Sequence, residues 1–148
     1  HGRTDFTWGE SECEVIREFV ENGGVILGSA VCGSKPFADA FRREMAKTLP
    51  GAPLKVLTSD HPALVAIGGF DIRGVTIRTP VEGGKEVTKR VAAPVLEVGK
   101  VDNVAGVFFS PLDLSCALES PNSVQCPGYS TEDAAKIVAN LVLYALQQ

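Results

Sequence analysis

Positive charge and histidine are both scarce in this chain of 148 residues. Fourteen basic residues stand against 18 acidic ones, which gives a formal net charge of −4 at pH 7, and there are two histidines. Because binding to a phosphate backbone needs a basic surface that releases counterions, we expect no nucleic-acid partner. No apolar run approaches the roughly 20 residues that a membrane-spanning helix requires, so we also expect no membrane span.

Cysteines are few as well, four in total and unevenly placed. In a chain of this length they do not form a disulfide scaffold. The histidines and cysteines also lack the close paired spacing of a structural zinc site, so we predict neither a metal nor another cofactor. Cys116 and Cys126 flank a proline-containing loop and are the disulfide candidate. They would bond in an oxidising compartment and would be two ordinary thiols in a reducing one.

Hydrophobic residues make up 45% of the chain and charged residues 22%, as in a soluble globular protein. We expect a single domain over residues 1–148. Thr7 and Glu10 have the spacing of a capping box at the start of a first helix. The further predicted elements are strands at 25–27, 54–57 and 104–110 and helices at 36–48 and from near 130.

This alternation of strands and helices predicts an α/β fold, a three-layer α/β/α sandwich with a mainly parallel sheet. Residues 68–100 differ from the rest, because short β-rich pieces there are separated by glycines and prolines. We expect them to form a β-hairpin insertion on the sheet edge.

Cys32 lies in a turn of small residues between a predicted buried strand and the helix that begins near Pro36. In α/β folds such a turn lies at the carboxyl edge of the sheet, where ligands usually bind. The dipole of a helix N-terminus lowers the pKa of a nearby thiol, which favours Cys32 as a nucleophile. A small thiol buried under the turn is the alternative interpretation, since free cysteine is among the most buried residue types.

Four more residues are candidates at the same edge. Gly33 and Ser34 would offer N–H and hydroxyl donors to an anion or a carbonyl oxygen, or would form the turn and cap the helix. His61 follows the strand at 54–57, either as a base or ligand or as part of a solvated loop. Asp113 follows the strand at 104–110, either as a cleft carboxylate or as a turn cap. A Cys–His pair of Cys32 and His61 is the arrangement that nucleophilic catalysis would need.

The motifs as a set resemble those of the bacterial domain-of-unknown-function family 4159. The matching segments cover nearly the whole chain and are His1-Gly2, Glu12, 17–24, 32–42, 60–62, 110–114 and 128–146. The resemblance implies a class I glutamine amidotransferase-like, flavodoxin-like fold and no established reaction. It also implies one or two further strands before His1. Without them, a sheet edge and an apolar helix face would need another chain or a second copy to cover them.

The resemblance does not imply glutaminase activity. Amidotransferases of this class place their nucleophile in a Gly-x-Cys-x-Gly elbow. Aligning Gly28 with the first glycine puts Ala30 at the nucleophile position and Cys32 two residues late. The late His-x-Glu pair is missing too, because no histidine follows His61. We therefore expect the fold to be kept without that chemistry.

These observations lead to one preferred function and two alternatives. We predict a non-catalytic module that binds a small ligand or a protein partner through Cys32, Gly33, Ser34, His61 and Asp113. One alternative is a hydrolase or acyltransferase with Cys32 as nucleophile and His61 as base. The other is a structural domain that forms a homodimer through the uncovered sheet edge. Since related domains occur in cell-envelope proteins, the resemblance favours an extracytoplasmic location over a cytoplasmic one.

Overall fold

The computed structural model describes residues 1–81, 85–119 and 126–148. Its helices are α1 (Glu10–Glu21), α2 (Lys35–Thr48), α3 (Ser115–Glu119) and α4 (Thr131–Ala145). Its strands are β1 (Ile26–Ser29), β2 (Lys55–Val56), β3 (Val75–Val81), β4 (Lys85–Val91), β5 (Glu97–Val101), β6 (Val104–Ser110) and β7 (Gly128–Tyr129). Two short 3₁₀ turns, Val31–Gly33 and Pro62–Val65, follow β1 and β2.

The strands form two sheets. The first has the order β1-β6-β5-β2 and the second has the order β4-β3-β7. Among the described strands, β1 and β6 are the one pair that is parallel, whereas β5 is antiparallel to both of its neighbours and the strand pairs of the second sheet are antiparallel. The predicted three-layer sandwich with a mainly parallel sheet is therefore wrong. The protein is a mixed α/β domain with two mostly antiparallel sheets.

The connection between β5 and β6 explains this difference. Asp102 and Asn103 both have positive φ, 50° and 68°, and Val101 pairs directly with Val104 across them. Two residues with positive φ are typical of the tight turn that joins antiparallel strands. A parallel pairing would need a crossover of about a dozen residues, usually a helix. The Asp-Asn turn thus places an antiparallel strand beside β6.

The predicted hairpin within residues 68–100 is present, but it does not extend the edge of the first sheet. β3 and β4 pair from Val75 with Val91 to Val81 with Lys85. Instead of joining the first sheet, β3 pairs on its other side with β7. The Gly-Gly pair at 83–84, one of the glycine-containing separators within this segment, lies outside the described residues. Residues 95–98, the last β-rich piece of the segment, overlap β5 of the first sheet.

The helices begin close to their predicted positions, with one change of cap. Gly9 precedes α1, and its N–H donates to the Glu12 carboxylate at 2.7 Å, so the predicted Thr7–Glu10 capping box is wrong. Ser34 caps α2 by accepting the N–H of Phe37 at 3.4 Å. A serine oxygen at this position satisfies one of the backbone donors that the first helical turn leaves free.

The core lies on both faces of β6 because successive side chains of a strand point to opposite sides. Phe108 belongs to an apolar cluster that includes Ile137 of α4. Phe109 belongs to the opposite cluster and stacks on Phe41 of α2 at 4.7 Å between ring centroids. The close approach needs a glycine in β1, since a Cβ on Gly28 would lie 2.5 Å from the Phe41 ring. The first sheet is therefore fixed between α2 and α4.

Candidate functional site

Asp113 joins the turn after β1 to the segment after β6. Since these strands are parallel and Ser29 pairs with Ser110, both chains leave the sheet at the same edge. The buried Asp113 carboxylate accepts the N–H of Cys32. Its other oxygen accepts the N–H of Cys116 at 2.8 Å and the hydroxyl of Ser115 at 3.0 Å. This geometry agrees with the turn-cap interpretation of Asp113.

Cys32 is bonded to Cys126 across a sequence separation of 94 residues, and Cys116 is a free thiol. The structure thus differs from the predicted Cys116–Cys126 bond. The reason is the path of the chain before β7. Gly128 forms a parallel bridge with Asp113, which brings Cys126 back to the carboxyl edge of β1 and β6.

The cysteine pair and Asp113 bring three potential metal-ligand atoms together at this edge. One sulfur from each cysteine and one carboxylate oxygen lie within 4.8 Å of one another. The sulfurs are bonded together, however, and the Asp113 oxygens accept three hydrogen bonds. A disulfide offers no thiolate, which is the form of cysteine that binds metal ions, so this group in its bonded state is a poor metal site.

Gly33 and Ser34 are used by the fold in the same way. The N–H of Gly33 donates to Ala30 at 3.0 Å, and the N–H of Ser34 donates to Val31 at 3.1 Å. The Ser34 hydroxyl donates to the Arg3 carbonyl at 2.5 Å while it caps α2. The donors predicted to meet a ligand are thus taken by backbone oxygens.

His61 belongs to a different cluster. Its side chain is only 6% exposed and packs against the rings of Phe108 and Tyr144, at 6.1 and 5.3 Å between centroids. Its Nδ1 accepts the N–H of Ala63 at 3.2 Å, and its buried Nε2 has no hydrogen-bond partner among the described residues. None of the contacts described for His61 reaches Cys32. The structure groups Cys32, Gly33 and Asp113 and places His61 elsewhere.

His61 forms part of the wall of a cleft of about 380 Å³ beside β2 and β5. We call this space the His61 cleft. The polar residues that line it are Lys55, Thr58, His61, Lys100 and Asn103. The remaining lining residues are glycine, proline or valine. Five of the nine lining residues are therefore polar, a more polar wall than the mostly apolar lining usual for a small-ligand site.

The environment of His61 keeps the imidazole neutral. Burial lowers the pKa of His61, the positive charge of Lys100 lowers it further, and the charge of Asp60 opposes both. Because Nδ1 accepts the Ala63 N–H, the single proton of the neutral ring is assigned to Nε2. A hydrogen-bond donor is thus buried without an acceptor among the described residues.

Sequence reasoning found His61 but missed the rest of its cleft. Lys55 and Lys100 stand on β2 and β5, and Lys55 pairs with Val98 across the two strands. The sequence places these lysines far apart, and only the antiparallel pairing brings them to one wall. The Asp102-Asn103 dipeptide is the one local signal that could have indicated that β5 lies beside β6.

The fold and this site define a mixed α/β domain with a buried histidine at a lysine-lined cleft. The chain matches the model of the family described as "Domain of unknown function (DUF4159)" over residues 1–146, and the protein belongs to that family. The match confirms the family resemblance and does not extend to the amidotransferase-like superfamily. The comparison with curated proteins found no match. None of the helices in the described parts of the chain is long and apolar enough to cross a membrane.

Proposed function

We propose that this domain is a non-catalytic module that binds a small ligand in the His61 cleft. The observation that supports this most is the cleft itself, about 380 Å³ in volume and lined by Lys55, Lys100 and His61. Neither lysine forms a salt bridge with another described residue. A ligand in the cleft therefore meets several polar residues in one concave space, and a few convergent polar groups are what fixes a ligand in a small-molecule site.

The hydrolase or acyltransferase alternative has less support. It needs a free Cys32 thiolate with a base within hydrogen-bond reach. Cys32 is instead bonded to Cys126, and the ring of His61 packs against Phe108 and Tyr144. The proposed nucleophile Cys32 and the proposed base His61 therefore have no contact in common among the described residues.

Self-association is the second candidate, and the position of β1 supports it. This strand is at the edge of the first sheet, and among the described residues only Gly2 pairs along its outer side, in a bridge to Ala30. An open strand edge is a template for pairing with a second chain. Sedimentation over a range of protein concentrations tests this, since a strictly monomeric mass would rule it out.

Ligand binding is tested with a panel of neutral, anionic and cationic fragments, observed by ligand-detected NMR. The matched variant is Gly51→Trp, because Gly51 lines the cleft and an added Cβ there meets no atom within 4 Å. We expect a subset of fragments to bind the unmodified protein and to lose binding in this variant. Equal binding by both proteins, or binding by neither, would contradict the proposal.

A further inference from the structure

The wall of the His61 cleft carries positive charge and no carboxylate. Lys55 and Lys100 both line it, and none of the lining residues is acidic. Neither lysine forms a salt bridge with another described residue, although several other lysines of the protein do. Their charges thus face the cleft without a direct counterion.

Asp60 is an acidic group whose charge acts on two residues of the cleft, Lys100 and His61. Its carboxylate accepts hydrogen bonds from Thr58 and from its own backbone. It does not line the cleft. The wall of the cleft itself, with two lysines and no carboxylate, is positively charged at neutral pH.

From this charge pattern we infer that the ligand of the His61 cleft carries an oxyanion, a carboxylate or a phosphate, bound by Lys55 and Lys100. The inference rests on the proposed function and specifies the chemistry of the ligand. An oxyanion is attracted by both ammonium groups and accepts hydrogen bonds from them, and such charge-assisted hydrogen bonds are stronger than neutral ones. A cation would be repelled, and a neutral ligand would gain nothing from either charge.

The two forms of oxyanion are distinguished with simple probes. Inorganic phosphate represents the phosphate group, and succinate represents the carboxylate. Succinamide has nearly the same shape as succinate without its charge, so it separates charge from fit. We expect phosphate or succinate to bind, as measured by calorimetry, and succinamide to bind at least about tenfold more weakly, which corresponds to roughly 1.4 kcal/mol.

Variants then locate the binding. Lys100→Gln removes a charge from an exposed side chain, and Lys89→Gln does the same on β4 of the second sheet, away from the cleft. We expect Lys100→Gln to weaken anion binding about tenfold or more and Lys89→Gln to leave it unchanged.

The results separate this inference from the function on which it rests. Anion affinity that falls equally in Lys100→Gln and Lys89→Gln, or in neither, would overturn the inference. Neutral fragments that bind in the cleft as tightly as their anionic counterparts would also overturn it, while leaving the proposed ligand-binding function in place. If every fragment that binds the unmodified protein binds Gly51→Trp equally well, the proposed function itself is wrong.

Discussion

Breaking the Cys32–Cys126 bond is expected to remove a large part of the stability of this domain. The bond closes a loop across a sequence separation of 94 residues. In the chain-entropy treatment, a loop of that length stabilises the folded state by about 4.7 kcal/mol at 25 °C. The total stability of a domain is commonly about 5–15 kcal/mol. Losing the bond would therefore leave a marginal fold.

The same calculation distinguishes this bond from the one predicted from the sequence. A Cys116–Cys126 bond would close a separation of 10 residues, and a loop of that length is worth only about 2.7 kcal/mol. The two pairings thus differ by about 2 kcal/mol in the stability they confer. Urea unfolding resolves a difference of this size.

The assay compares urea unfolding of Cys126→Ser and Cys116→Ser, each with and without reductant. We expect Cys126→Ser to lose about 4–5 kcal/mol and to be insensitive to reductant, and Cys116→Ser to behave like the unmodified protein, because Cys116 is a free thiol. An unmodified protein whose stability does not change on reduction would refute the reasoning. Equal losses in both variants would instead indicate the shorter loop.

Three further predictions follow from buried groups. Burial is the main cause that lowers the pKa of His61 in the folded protein. Below the ordinary histidine pKa of about 6.5 the unfolded chain therefore binds a proton that the folded protein does not, and the free energy of unfolding should fall as the pH drops through this value until the folded pKa is reached. His61→Gln should remove this pH dependence. Burial raises the pKa of Tyr129 to about 12. The free energy of unfolding should therefore fall as the pH rises above about 10, where the phenol of the unfolded chain ionises. In a pH titration, the tyrosinate absorbance should show a component at high pH that Tyr129→Phe lacks, and its persistence in that variant would exclude Tyr129 as the source. Gly28→Ala would place a Cβ 2.5 Å from the Phe41 ring and should destabilise by about 1–3 kcal/mol; Gly51→Ala, where the Cβ meets nothing within 4 Å, is the control, and equal stability of the two variants in urea would contradict the packing described.

Local structure could be predicted where the sequence carries a clear period. The strand at 104–110 has the bounds of β6, and the Phe37, Phe41 and Met45 stripe of α2 is buried as helical spacing indicates. The pairing of strands could not be predicted in the same way. Strand pairing depends on contacts between distant segments. The Asp102-Asn103 turn, which makes β5 and β6 antiparallel, is the one part of it that a local sequence signal indicates.

Two polar residues in helices are buried where their residue type and spacing predict exposure. Glu44 lies in a run of charges that predicts a solvated face, yet it is 1% exposed and accepts the N–H of Trp8 at 3.2 Å. Asn140 is one of the few polar residues in the second half of α4, which predicts an exposed position, yet it is fully buried and its amide donates to the carbonyls of Ala63 and Phe70. In both cases a segment far away in the chain covers the helix and supplies the partners, which periodicity within the helix cannot reveal.

The positions of the candidate site residues could be predicted only where they depend on the ends of neighbouring strands. The sequence correctly placed Cys32 and Asp113 at one edge, because β1 and β6 are parallel and each residue follows its strand. His61 was expected at that edge as well, but the 3₁₀ turn that begins after it returns its ring to the face of the sheet beside Phe108. The lysines of the His61 cleft were not found, since they lie on strands whose antiparallel pairing was not predicted.

The most direct test of the central claim is the NMR signal of the His61 ring nitrogens during titration with succinate or phosphate. The chain has two histidines, so His1 serves as a reference within the same molecule. We predict a neutral ring protonated at Nε2, whose signal shifts on addition of the anion while that of His1 does not, and no such shift in Gly51→Trp. A ring protonated at Nδ1, or a His61 signal that no anion or neutral fragment moves, would contradict the account.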